Sequence, residues 1–174
     1  MTTFANKNIN KIPLLENGDR LTRHEFERRY TAMPDNRKAE LIEGIVYMAS
    51  PLRIRSHGEP HGNLILWLGT YKITIPGLIL GDNSTVRLDL DNEQQPDVVL
   101  LFDDKNGEQA RISEDDYIEG APELVAEVAA NSASNDLHEK KNAYRRNGVL
   151  EYIVWQIFEN KIDWFYLQNG EYIS

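Results

Sequence analysis

Two acids in this sequence stand where their neighbours do not account for them. Asp97 opens the apolar run PDVVLLF (Pro96 to Phe102), and Glu127 lies inside ELVAEV (Glu123 to Val128). Burying a lone carboxylate is expensive, so an acid in such a run implies a cationic partner, a metal ion or a raised pKa. The following segment, SNDLHEKKNAYRRNG, reads as a capped helix beginning near Ser134, and it can supply the cation. With Leu137 as reference and about 100° per residue, Tyr144 falls on the same inward stripe, with Lys140 and Lys141 on either side of it. Two acids and a lysine can therefore converge on one point.

The chemistry this would serve follows from the ligand types. Mg²⁺ is usually held by one or two carboxylates and keeps waters in its remaining octahedral positions, where a substrate phosphate also binds. Such an ion polarises a phosphoryl oxygen and lowers the pKa of a bound water, and a nearby lysine orients that water or neutralises developing charge. Phosphodiester hydrolysis is the reaction implied. The pattern alone equally allows a structural account, with Asp97 a strand-start turn residue and Glu127 half of an ion pair with Arg or Lys.

Charge narrows the partners. A net charge of -9 over 174 residues argues against a general nucleic-acid coat, because non-specific binding is driven by Lys and Arg releasing counterions from phosphate. A small basic cleft remains open. Lys140, Lys141, Arg145 and Arg146 form the densest positive cluster, for which a solvated helix face is the plainer account. The absence of Cys removes disulfides, thiolate metal sites and Cys nucleophiles. Apolar runs such as LILWL fall far short of the ~18 residues needed to span a bilayer, and MTTFANKNIN lacks a signal-peptide core, so no membrane association and a cytoplasmic location are expected.

The elements that must position these residues can be read in order. Residues 1–20 lack periodicity and are expected to form a loose arm, with residues 21–174 as a single domain. A capping box at Thr22 to Glu25, with Leu21 and Phe26 as hydrophobic staple, predicts a helix that Pro34 stops. KAELIEGIVYM reads as a strand or a hairpin bent at Gly44. Counted straight through, Glu40 shares a face with Ile42, Val46 and Met48, and Glu43 with Leu41, Ile45 and Tyr47. A second helix is predicted from Ser56 or Pro60 to about Ile75, with Leu64, Trp67, Leu68 and Tyr71 as a core stripe. His57, Glu59 and His61 near its start invite a zinc site, against which stand Pro60, two glycines and the lack of a third ligand nearby in sequence.

From Leu78 the period moves towards two. GLILGD, STVRLDL and PDVVLLF read as strands, LDNEQQ as an acidic turn, DDKNGE as a loop and ISEDDYIEGAP as a connection into ELVAEV. EYIVWQIF and KIDWFYLQ follow the lysine helix, and Asn169-Gly170 signals a closing hairpin. The order predicts an α/β (α+β) fold, a mixed central β-sheet flanked by helices.

PDVVLL, APELVAEV and DLHEKKNAYRRNGVLEYIVW, with the earlier AELIEGIVYMASP, resemble the Uma-type family, a restriction-endonuclease-like group of the PD-(D/E)xK nuclease superfamily. The resemblance runs from about Glu40 to Trp155. It implies a metal-dependent DNA endonuclease using Mg²⁺ or Mn²⁺, with Asp97 and Glu127 as metal-binding acids and Glu40 as an auxiliary acid of the metal site. The superfamily usually carries lysine two residues after the second acid, where this chain has Ala129. The resemblance moves that lysine to the following helix, where Lys140 fits and Lys141 is the near miss. His57, His61 and Asp82 also resemble recurring polar positions, with no role assigned. Restriction-type nucleases are commonly dimers, so the resemblance further implies a homodimer.

Two other functions compete. One is a non-catalytic nucleic-acid- or protein-binding module on the same fold, which the acidic total and Ala129 favour. The other is a partner-binding sheet protein using Tyr152, Trp155, Trp164, Phe165 and Tyr166, although alternating aromatics are ordinarily sheet packing.

Overall fold

The computed structural model describes residues 12–34, 37–102, 109–130 and 136–174. Of the expected N-terminal arm, residues 1–11 lie outside the described residues. The part that follows is anchored: Leu15 is buried, the Gly18 N–H donates to Val46 O, and Arg20 bridges Ile45. Helix α1 (Arg23–Thr31) starts after Thr22 and buries Phe26, which packs in one cluster with Leu21. The staple forms, but the capping box does not. Thr22 makes no side-chain cap bond, and the Glu25 carboxylate, the other half of the box, bonds Arg28 and Arg29 instead.

KAELIEGIVYM folds as a hairpin of β1 (Ala39–Ile42) and β2 (Ile45–Met48), with Glu43 and Gly44 both at positive φ. A two-residue turn of this kind needs left-handed backbone at both positions, and it changes which residues share a face. Leu41 pairs with Val46 and Glu40 with Tyr47. Glu40 therefore lies with Ile42 and Tyr47 and not with Val46 and Met48, because the turn breaks the count that unbroken alternation assumes.

The fold class is as expected, α+β with mixed sheets, but among the described residues the strands divide between two six-stranded sheets. After helix α2 (Glu59–Ile73) come β3 (Leu78–Asp82), β4 (Val86–Asp89), β5 (Asn92–Gln94) and β6 (Val98–Phe102). β5 lies within the segment expected to be a turn. Asn92, Glu93 and Gln94 are buried as a strand between β4 and β1, so polarity there marked buried hydrogen-bonding groups and not a surface loop. DDKNGE lies outside the described residues. The supposed connection ISEDDYIEGAP contributes to β7 (Ala110–Ile112) and β8 (Ile118–Gly120), whose shortness hides their period from the sequence. Then follow β9 (Leu124–Ala129), helix α3 (Lys141–Asn147), β10 (Glu151–Gln156), β11 (Lys161–Gln168) and β12 (Glu171–Ile173).

One sheet runs β2-β1-β5-β4-β8-β7 and the other β12-β11-β10-β9-β6-β3, each with a single parallel pair, β4 with β8 and β9 with β10. The parallel β9-β10 pair requires a crossover, and α3 supplies it. Gly148, left-handed at φ 88°, ends α3 and turns the chain into β10. Val86, Ala110 and Ile118 of the first sheet pack in one core with Val99, Val125, Tyr144, Tyr152 and Phe165. The opposite face of the second sheet packs on Leu64 and Leu68 of α2. Trp67 and Tyr71, expected in that stripe, are instead exposed. No helix among the described residues is long and apolar enough to cross a membrane.

One buried acid lies away from all this. Glu93 of β5 faces Glu27 of α1, with Arg87 Nε 3.1 Å from Glu27 and 3.8 Å from Glu93. Burial, then hydrogen bonding and charge repulsion from Glu27, push the Glu93 carboxyl from its ordinary 4.5 up to about 8. The folded state thus keeps a proton that the unfolded chain has lost, and stability falls as pH rises through that window. The thermal midpoint is expected to drop between about pH 5 and pH 8.5, and less so in Glu93→Gln. A pH slope that the substitution leaves unchanged would show the shift to be absent.

Candidate active site

Asp97 lies immediately before β6, and the antiparallel register of β6 with β9 pairs Val98 with Ala126. One step further along, Asp97 comes opposite Glu127, so both acids emerge on one face of the sheet. On that face Val99, Leu101, Val125 and Ala129 meet Tyr144, and α3 and the turn before it cover them. The two strands therefore bring the acids together, as their positions in the runs had suggested.

The cation arrives from a π-helical turn, Asp136–Lys140, that leads directly into α3. The expected helix start at Ser134 lies outside the described residues. Lys140 is buried, 6% exposed, between two acids: its Nζ is 2.8 Å from Glu127 Oε1 and 3.1 Å from Glu40 Oε2. The Tyr144 hydroxyl also donates to Glu127 Oε1 at 3.3 Å. Glu40 reaches this point from the other sheet, where its Oε1 accepts the Gln95 N–H at 2.8 Å. Lys141, one residue on, points elsewhere. Its ammonium stands 3.6 Å from the centre of the Phe165 ring, and burial lowers its pKa.

Asp97 is held differently. Its Oδ2 accepts the Val128 N–H at 2.7 Å, and its Oδ1 lies 3.1 Å from His57 Nε2. Burial alone would raise this carboxyl. The His57 hydrogen bond, the Val128 N–H and the charges of His57 and Lys38 outweigh it and keep Asp97 below the usual carboxylate range. His61 Nε2 sits 3.0 Å from the Asp97 carbonyl oxygen and 3.0 Å from Asp82 Oδ1.

The expectation that Pro60 and the glycines break the helix here is corrected. Pro60 occupies the first turn of α2, where its missing N–H costs nothing, and Gly58 is right-handed helical. A second π-helical turn, Ile54–Gly58, continues the helix backward and carries His57. The missing third group is Asp97, far away in sequence. One nitrogen of each histidine and one oxygen of Asp97 lie within 4.8 Å of one another. The His-x-x-x-His spacing was visible in the sequence, but the strand that completes the group was not assignable to it.

Asp97, Glu127, Glu40 and Lys140 all line one cavity of about 580 Å³, shared with Lys38, Arg53, His57 and Tyr47. Tyr47 donates to Glu139, which with burial pushes its hydroxyl up to about 12. The cavity opens where the hairpin of one sheet faces β6 and β9 of the other. Acids and cations both line it. Such a wall can hold an oxygen-seeking cation and bind a phosphate group.

The model of the Uma2 family, described as "Putative restriction endonuclease", matches residues 23–174. Comparison with curated proteins gives no match. Among solved structures, the chain is similar to a crystal structure of a putative nuclease belonging to DUF820 from Anabaena variabilis ATCC 29413. The two share 13% identity, with 84% of this chain and 81% of that chain covered and a TM-score of 0.61. At that identity the likeness is one of fold.

The ion pair also makes a stability statement. Removing one partner of a buried pair strands the other charge, which typically costs about 3–5 kcal/mol. Lys140→Ala is expected to lower the free energy of unfolding by that amount in urea denaturation, and Lys140→Met with Glu127→Gln to recover much of it. A loss below about 1 kcal/mol in the single variant would mean the pair behaves like an exposed one.

Proposed function

Because the chain belongs to the Uma2 family, described as putative restriction endonucleases, we propose that it is a metal-dependent endonuclease hydrolysing phosphodiester bonds of DNA. Asp97, Glu127 and Glu40 are its acids and Lys140 its working cation. The observation that supports this most is the convergence of three carboxylates and one buried ammonium on a single open cavity.

The donor set suits a hard cation. All three acids offer only oxygen, and Asp97, kept below the usual carboxylate range, is ionised at neutral pH. Asp97, Glu127 and Glu40 would hold Mg²⁺ or Mn²⁺, in keeping with the preference of these ions for carboxylates and water. When bound, such an ion supplies Lewis-acid polarisation of the scissile phosphate and a water of lowered pKa.

The rest falls to the chain's own side chains. Lys140 lies in a buried wall, where an ammonium's charge counts for more than in water, and its role is to stabilise negative charge developing on phosphoryl oxygens. Tyr144 fixes the orientation of Glu127 through its hydroxyl. Lys38 and Arg53 give the cavity further positive charge for the neighbouring backbone phosphates. The basic groups are thus local, which reconciles a phosphate-binding cleft with an acidic protein. The homodimer expectation belongs to the same reading, and sedimentation at two protein concentrations tests it.

The Lys140 contacts also support the alternative of a non-catalytic binding module, since an ammonium satisfied by two carboxylates serves equally as a structural pair. Plasmid relaxation separates the two. With Mg²⁺ or Mn²⁺ the wild-type chain is expected to nick plasmid DNA. Asp97→Ala should abolish nicking and Lys140→Ala reduce it by about 10²–10³, as losing one charge-stabilising donor does elsewhere. Lys141→Ala should leave the rate within a few-fold. Nicking that survives Asp97→Ala in clean protein refutes the assignment, and salt-sensitive DNA binding without any nicking favours the module.

A further inference from the structure

The oxygen-only acids account for one side of the cavity, and the hydrogen bonds of His57 and His61 to Asp97 do not exhaust what two imidazoles beside a carboxylate can do. We propose that His57, His61 and Asp97 form a binding site for a divalent transition-metal ion that accepts imidazole ligands, of the Zn²⁺ or Co²⁺ type. This goes beyond the nuclease reading and does not depend on Glu127 holding a hard ion.

Three observations carry it. The first is spacing. His57 and His61 are four residues apart on one continuous helical surface, so both imidazoles project the same way. Their rings are 5.5 Å apart, and both Nε2 atoms turn towards the residue that bears the carboxylate.

The second is distance. Metal–nitrogen and metal–oxygen bonds of about 2.0–2.2 Å set neighbouring ligand atoms about 3.0–3.6 Å apart on an octahedral or tetrahedral edge. His57 Nε2 is 3.1 Å from Asp97 Oδ1, and the three donors fit within 4.8 Å. Asp82 Oδ1, 3.0 Å from His61 Nε2, offers a fourth donor from the end of β3. In the structure these nitrogens and oxygens stand at hydrogen-bond distance, and an ion entering the group would take the place of those contacts.

The third is chemical type. Imidazole suits Zn²⁺, Cu²⁺, Fe²⁺ and Ni²⁺, whereas carboxylate and water suit Mg²⁺. Asp97 therefore stands between two donor types, the imidazoles of His57 and His61 on one side and the carboxylates of Glu127 and Glu40 on the other, with His57 and the three acids lining the cavity. An ion on the imidazole side would hold Asp97 in place and set the charge beside the carboxylates.

The test uses the full chain after chelator treatment, with Co²⁺ as probe in the presence of excess Mg²⁺. One equivalent of Co²⁺ is expected to give d–d absorption shifted and intensified relative to aqueous Co²⁺ in the wild-type chain and in Glu127→Gln. In His57→Asn/His61→Asn the affinity should fall by more than the roughly 10–100-fold that follows loss of an outer-sphere partner. Should that variant fail to fold, the wild-type chain still decides the matter. The chain has four histidines, and Co²⁺ should broaden the imidazole proton signals of His57 and His61 while leaving His24 and His138 sharp. A spectrum indistinguishable from that of aqueous Co²⁺, shifted bands retained at full affinity in the folded double variant, or equal broadening of all four imidazoles would overturn the site. Loss of Mg²⁺-dependent nicking in Glu127→Gln with Co²⁺ binding intact would test the nuclease reading alone.

Discussion

The contact on which the rest depends is the ammonium of Lys140 lodged between Glu127 and Glu40. Each member comes from a different part of the chain: β9 of one sheet, β1 of the other, and the turn that leads into α3. A carboxylate in an apolar strand cannot be left unpaired, so the burial of Glu127 obliges the helix to pass over it. Glu40 ties the far sheet to the same point. The ion pair therefore fixes the relative placement of three elements whose apolar faces would accept other packings. A cost is paid in desolvating three charges, and a cavity lined by ionised groups is what results.

Asp97 meets the same constraint by other means. A backbone N–H and an imidazole stabilise its charge, so that Asp97 and Glu127, opposite each other across two strands, draw on separate partners. The division leaves the opening between them lined by both. Two π-helical turns make the arrangement possible, one carrying His57 and the other Lys140, each displacing a side chain from where a regular α-helix would put it.

Much of this was readable before any coordinates. The acids within apolar runs, the staple of Leu21 and Phe26, the bend at Gly44 as one of two readings and the closing hairpin at Asn169-Gly170 are local features, decided by residues a few positions apart. What was misread has separate causes. Asn92 to Gln94 looked like a turn because buried polar strands do not alternate in hydropathy. Residues 110–112 and 118–120 are too short to show a period. The faces of the first hairpin came out inverted because a two-residue turn shifts the count. His57 and His61 were set aside because Pro60 and the glycines suggested a broken helix, whereas proline in a first turn costs nothing.

By itself the sequence determined that two acids stand at or within apolar strands, that a lysine-bearing helix follows the second, and that the chain alternates helices with strands in the order of an α+β fold. Those facts follow from composition and spacing, which act over single turns and single strands. Only the tertiary structure decided that Lys140 and not Lys141 faces the acids, that Glu40 joins them from a second sheet, and that two histidines meet Asp97. Each of these depends on contacts between residues dozens of positions apart. Their geometry is set by strand register and by the pitch of two irregular helical turns, which hydropathy and local propensity do not encode.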